Sequence, residues 1–243
     1  MSTDPTLRAY YRTLLGAWGP QNWWPAESPF EVIVGAFLTQ NTAWGNVERA
    51  MANLRRSRRL SVAGIRRVPL ARLQRLIRPA GYFRQKALRL KGFVAWLDAA
   101  HAGSLTRLFA LPTTELRAQL LALDGIGPET ADSILLYAGG HPVFVVDAYT
   151  RRILDRHQVL PFDAPYEQVR QSFERALRHA SEPRRLGEQP RHPASRMSSA
   201  KVSPAARHYN QMHALLVAVG HHYCRKSEAR CEHCPLAPFL PRR

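Results

Sequence analysis

Residues 121–147 read LALDGIGPETADSILLYAGGHPVFVVD. Two apolar runs of helical period flank a Gly-Ile-Gly turn, and a lone aspartate, Asp147, follows a β-branched run. Upstream, TTELRAQLLAL (113–123) is also helical in pattern, so this stretch reads as helix, tight turn over Asp124 to Gly127, helix. Pro128 suits the first turn of the second helix, where its missing N–H has no intrahelical partner to lose. Gly125 and Gly127 allow positive φ and the close approach of another backbone, while the first N–H groups of the new helix point outward. Those groups, at the positive end of a helix dipole, hold an anion such as a phosphate without reading a base. An ordinary helix-turn-helix corner uses glycines for geometry alone, and Gly-x-Gly by itself does not separate the two readings.

Outward from this stretch, helical periodicity recurs in FEVIVGAFLTQ, NVERAMANLRR, LARLQRLIRPA, QKALRLKGFVAWLDAA, AYTRRILDRH, YEQVRQSFERALRHA and YNQMHALLVAVGHHY, with Pro/Gly punctuation between them. Strand signals are sparse, so the expected class is all-α, with short loops between packed helices. Residues 181–207 break the pattern, with four prolines, six basic residues and few large apolar ones, and read as a flexible loop.

The formal charge of +17 and the 45% hydrophobic content describe a chain that buries a core and suits a polyanionic partner, nucleic acid above all. Only four of the 35 basic residues are lysine, and part of so strong an arginine excess is compositional. No window reaches the roughly 18 apolar residues of a membrane span, and the N-terminal segment lacks the order of a signal peptide, so the expectation is a soluble, cytoplasmic, nucleoid-associated monomer with no membrane partner. The three cysteines all lie near the C-terminus, which excludes a disulfide framework and raises the question of a metal or cluster.

The pattern L-x-G-I-G-x-x-T-A, followed about 20 residues on by VVDAYTRRI, resembles the helix-hairpin-helix, Gly/Pro-loop and aspartate signature of the endonuclease III (HhH-GPD) superfamily of DNA glycosylases. GAFLTQNT, GYFRQKALRL and G-x-x-x-C-x6-C-x2-C are similar to that family's glutamine loop, central helical region and the start of its iron–sulfur loop. The resemblance implies a two-domain helical fold with a cleft between the domains. We place one bundle at roughly 30–135, ending in the hairpin (about 113–137), and join residues 1–29 to 136–243 in the other. It also implies base-excision repair of double-stranded DNA carrying a damaged base, with Gly125, Ile126 and Gly127 contacting the backbone.

Asp147 then matches the catalytic aspartate. On its own it reads as an N-cap of the helix AYTRRIL, and the two roles are compatible, because a carboxylate bonded to helix N–H groups stays ionised and can stabilise an oxocarbenium-like sugar or orient a water. Bifunctional members carry a lysine where this chain has Glu129. A carboxylate cannot form an imine, so the expectation is a monofunctional glycosylase with AP lyase activity in doubt; Glu129 is also simply a first-turn acid suited to the helix dipole.

NWWPAESPF and LTQNTAW are similar to the 3-methyladenine branch, in which aromatic residues line the base pocket. Trp24 and Trp44 are the candidates for that pocket beside Glu129, with Trp23 given mainly to the core. An alkylated purine, cationic or electron-poor, gains from π faces. Gln40 fills the gap left by the flipped nucleotide or contacts the orphan base, with backbone capping as the alternative. Arg84, Lys86, Arg89 and Lys91 form a candidate phosphate track.

Cys224, Cys231 and Cys234 match the first three ligands of the family's [4Fe–4S] loop, but the fourth position is Leu240. Four thiolates from this chain are therefore impossible. An altered cluster completed by His221, His222 or His233, a zinc site of three thiolates and a histidine, and a metal-free loop stay open. The competing functions are a glycosylase/AP lyase for oxidised pyrimidines or mismatched uracil or thymine, and a non-catalytic DNA-binding relative.

Overall fold

The computed structural model describes residues 3–181 and 192–241. Its helices run α1 (Asp4–Trp18), α2 (Pro29–Leu38), α3 (Trp44–Arg56), α4 (Val62–Arg67), α5 (Leu70–Leu76), α6 (Phe83–His101) and α7 (Leu105–Phe109). They continue with α8 (Thr113–Leu121), α9 (Pro128–Ser133), α10 (Ala148–Arg156), α11 (Tyr166–Leu177) and α12 (Pro204–His222). Among the described residues the only β feature is one isolated bridge, Cys224 with Ala229, so the chain is all-α. Also among these residues, no helix is long and apolar enough to cross a membrane. The chain divides into two units, residues 26–139 and residues 1–25 with 140–243.

In the continuous unit, α2 is the central helix. Ser28 starts it by accepting the Glu31 N–H, and every residue from Phe30 to Leu38 is buried. A helix apolar on all sides belongs inside a core, and α2 packs on α3, α6 and the π-helical turn Ile134–Ala138 that continues α9. Each fully buried Leu, Ile, Val or Phe contributes about 1.5–3 kcal/mol relative to exposure, and this unit contains Ile33, Phe37, Leu54, Leu73, Leu90 and Leu135.

In the discontinuous unit, α10 and α12 cross closely, α11 packs on α1 and α12, and α12 on α1. Gly220 explains the α10–α12 approach, since a Cβ there would fall on the Tyr149 ring. The N-terminal helix α1 was not legible as an element in our reading of the sequence, although Leu7, Tyr10, Tyr11, Leu14 and Leu15 line one face and are all buried.

The loop reading of 181–207 needs correction at its end. Ser203 accepts the Ala206 N–H and Pro204 takes the first helical turn, so α12 already begins inside that stretch. Residues 192–195 are also tied down: Asn22 Nδ2 donates to the His192 carbonyl at 2.8 Å, and Ser195 Oγ donates to the Trp24 carbonyl at 3.4 Å. The part of the loop between them and Ser181 lies outside the described residues.

Candidate functional site

The hairpin of the continuous unit is built from α8 and α9. Ile126 N–H donates to the Leu123 carbonyl across the turn, and the buried Ile126 side chain anchors it. Gly125 sits at φ +74, which favours glycine, whereas Gly127 has φ −89, which any residue adopts. What distinguishes Gly127 is space: a Cβ there would meet nothing, and the residue is exposed as the N-cap of α9 with no side-chain cap. The two helices are joined by a bidentate ion pair, with Arg117 Nε on Asp132 Oδ1 at 2.7 Å and Arg117 Nη2 on Asp132 Oδ2 at 3.1 Å. Asp132 is 0% exposed.

Gln40, just past α2, reaches this hairpin. Its Nε2 donates to the Gly125 carbonyl at 3.0 Å and to Thr130 Oγ1 at 2.9 Å, while its Oε1 accepts from Arg89 Nη1 at 3.3 Å. The carboxamide is thus bonded to backbone, the alternative weighed for it in the sequence. Lys86 is not on a phosphate track. It is 2% exposed, its Nζ donates to the Leu38 and Ala80 carbonyls at 2.8 Å each, and burial, with the Arg89 charge beside it, pulls its pKa down to about 8. The sequence could not reveal this, because the two carbonyls that receive the ammonium come from the end of α2 and from the turn Arg78–Ala80. Arg84 is exposed on α6, and Lys91 Nζ donates to the Arg66 carbonyl. Glu129 is exposed in the first turn of α9. Our sequence reading missed Tyr82, which starts α6 at left-handed φ +44 with 68% exposure. Its signal was an aromatic residue directly after a Pro-Ala-Gly turn.

Asp147 lies in the discontinuous unit. The extended run Val143–Val146 is buried and held to α11: Phe144 N–H donates to Glu174 Oε1 at 3.0 Å and Val146 N–H to the Tyr166 hydroxyl at 3.3 Å. Asp147 then caps α10, its Oδ1 accepting the Thr150 N–H at 2.7 Å. Its Oδ2 stands 3.6 Å from His213 Nε2 on α12. Burial alone would push this carboxyl up, but the His213 imidazole and the Thr150 N–H outweigh it and hold the group below the usual carboxylate range. His213 is 5% exposed and faces the Phe144 ring edge-on. Nothing local in the sequence joins it to Asp147, which is why it was missed.

Trp23 and Trp24 belong to the same unit as Asp147. Trp24 is 7% exposed, Trp23 is half-buried, and the Trp23 ring lies 5.3 Å from Trp24 and 5.5 Å from His192. Trp44, in the other unit, is half-buried at the start of α3, with Nε1 donating to Glu48 Oε1 at 3.0 Å.

The cysteine loop is fastened to α10 by arginines. Arg152 Nε donates to the Cys224 carbonyl at 2.7 Å, and Arg156 reaches the Arg225 and Lys226 carbonyls and the Cys224 sulfur. Burial, with the neighbouring Cys224 and Cys231 sulfurs, pushes the Cys234 thiol up against hydrogen bonds from the Leu236 and Ala237 backbone. Among the described residues no three or more His, Cys, Asp or Glu side chains are grouped to hold a metal ion. With Leu240 apolar at the fourth position, the residues present do not fit a four-thiolate cluster.

A model of the HhH-GPD superfamily, described as base excision DNA repair proteins, matches residues 34–179. The protein called "Putative DNA repair glycosylase MJ1434" of Methanocaldococcus jannaschii is 40% identical over 231 residues, covering 94% of this chain and 93% of that protein. Endonuclease III of Bacillus subtilis is 22% identical over 209 residues, 86% of this chain and 79% of the relative. Among solved structures, the H. pylori 3-methyladenine DNA glycosylase bound to 1,N6-ethenoadenine superposes with TM-score 0.69 at 25% identity, over 90% of this chain and 97% of its own. A thermostable thymine-DNA glycosylase gives the same TM-score, 0.69, at 16% identity, over 98% and 94% of the two chains.

Proposed function

The chain belongs to the HhH-GPD superfamily of base excision DNA repair proteins, and on that premise we propose that it is a monofunctional DNA glycosylase that hydrolyses the N-glycosidic bond of a damaged base flipped from duplex DNA, alkylated purines such as 3-methyladenine being the favoured substrates. The observation that carries this reading is Asp147: an ionised carboxylate with one oxygen fixed by a helix N–H and the other directed by a buried histidine. Such a group stabilises positive charge developing at the sugar C1′ and orients water without itself being protonated. The C1′–N bond breaks with its electron pair leaving on the base, water oxygen bonds to C1′, and the water proton passes to solvent. A cationic alkylpurine departs neutral and needs no acid.

The residue at 129 and the two lysines of α6 support hydrolysis over imine chemistry. Glu129 stands where the bifunctional relatives have their amine, Lys86 is sealed between two carbonyls, and Lys91 is bonded to Arg66. Trp24 and Trp44 are the aromatic faces we propose for the base, and the exposed Tyr82 suits stacking on a nucleobase. Arg84 and the open backbone before α9 suit phosphates. The cysteine loop takes no part in the chemistry. The equal superposition on alkylpurine and thymine glycosylases means that fold overlap does not select the substrate, so the choice rests on the aromatic residues.

The test is base release from duplexes each carrying one defined lesion (3-methyladenine, thymine glycol, or uracil or thymine opposite guanine), with and without alkali, for wild type and Asp147→Asn. Alkali-dependent breaks from the 3-methyladenine duplex, with wild type only, uphold the proposal. Breaks without alkali overturn the monofunctional assignment, release confined to a pyrimidine lesion overturns the substrate, and binding without any release makes the protein a non-catalytic relative.

A further inference from the structure

The geometry points to Arg89 as a positioning residue that clasps the Gln40 loop to the hairpin turn, so that the surface offered to DNA is assembled before DNA arrives. Three observations converge on this side chain. Its Nη1 donates to Gln40 Oε1 at 3.3 Å, and both N–H groups of the same carboxamide are spent on the hairpin, at the Gly125 carbonyl and at Thr130 Oγ1. A Cβ on Gly125 would fall on the Arg89 Nε, Cζ and Cδ, so the arginine occupies the space that any side chain at 125 would need. Nearly one turn earlier on α6, Lys86 Nζ holds the Leu38 and Ala80 carbonyls, so α6 grips the end of α2 twice, at Leu38 and at Gln40.

The guanidinium is therefore turned to neighbouring protein groups, unlike that of the exposed Arg84. The clasp also assigns Gly125 a second task. Besides supplying positive φ, it leaves the gap through which Arg89 reaches Gln40. If Gln40 enters the duplex it must give up all three of these bonds, so the wedge and the turn act as one coupled unit.

This inference rests on the DNA-binding reading for its consequence, but its geometry can be tested without DNA. Amide hydrogen exchange at residues 123–130 would be compared in free wild type, Arg89→Met and Arg89→Lys, with thermal melting to show that each variant folds. Both variants are expected to exchange faster there, by about fivefold or more, with the end of α12 unchanged; wild-type exchange in Arg89→Lys overturns the clasp. Binding of an undamaged duplex across a salt series gives the second readout. Both Arg89 variants should bind about five- to tenfold more weakly at every salt concentration with the wild-type slope, whereas Arg84→Ala should lower the slope by about one. If Arg89→Lys binds like wild type while Arg89→Met loses slope, Arg89 is a phosphate contact and the proposal fails. If wild type binds no duplex at all, the DNA reading fails, and the exchange data still decide the clasp.

Discussion

Helices α9 and α10 begin 20 residues apart and are finished in opposite ways. At α9 the N-cap is Gly127, which has no side-chain oxygen and open space in front of it; at α10 the N-cap is Asp147, whose carboxylate accepts the Thr150 N–H. Both helix starts expose the same electropositive pole. A bare start leaves that pole to an anion from outside, while a start capped by aspartate supplies its own anion and keeps it ionised. On the proposed function, one device serves two ends: the first to hold a phosphate, the second to hold a negative charge ready for a sugar cation.

The most severe way to break the comparison is to neutralise the internal anion. Asp147→Asn keeps the cap, since asparagine caps about as well as aspartate, so the melting temperature should barely move while single-turnover base release falls about 10²- to 10⁴-fold. A rate within threefold of wild type would remove Asp147 from the chemistry.

At the hairpin, Arg117→Ala removes the bidentate ion pair to the buried Asp132 and should cost about 3–5 kcal/mol in urea denaturation. Replacing both residues by leucine should recover much of that loss, because the buried carboxylate is removed together with its arginine. An additive double mutant would show that the ion pair does not act as a unit.

Gly127→Asp sharpens the contrast by giving α9 the cap that α10 has. The variant should be as stable as wild type or more so, by up to about 1 kcal/mol, and should bind undamaged duplex roughly tenfold more weakly, because the pole is now occupied by a fixed anion. Unchanged binding would mean that the open start of α9 does not face phosphate.

The smallest effect concerns pH. Asp147 is held below its ordinary pKa in the folded chain, so its stabilising contribution is fully present above about pH 4 and is lost as pH falls through the lower folded value. Wild type should therefore lose more melting temperature than Asp147→Asn between pH 5 and pH 2.5, and the two should change alike with pH above about pH 5. Base release should show no acid limb from this carboxylate above about pH 4.5.

The legible features were those written in adjacent residues. The hairpin, with Pro128 just inside α9 and glycines in the turn, and the Asp147 cap ahead of AYTRRIL are local signals, and each was read with its bounds nearly right. Three short-range errors had physical causes. The run of α1 carries Pro5 and Gly16, which blurred its apolar face. The five- and six-residue helices α7 and α4 are too short to show a period. The start of α12 was hidden by a polar, proline-bearing stretch. The remaining misses are long-range. His213 meets Asp147, and Lys86 meets Leu38, only because separate elements pack together, and no pattern along the chain encodes either meeting.

The fastening of residues 192 and 195 to Asn22 and Trp24 also bears on where this chain can be altered. It sets residues 192–195 on the N-terminal segment of the same unit. A dye, affinity tag or inserted sequence placed at residues 192–195 would disturb these contacts and the Trp23 ring 5.5 Å from His192, so an attachment meant to leave the tryptophan pair untouched belongs elsewhere.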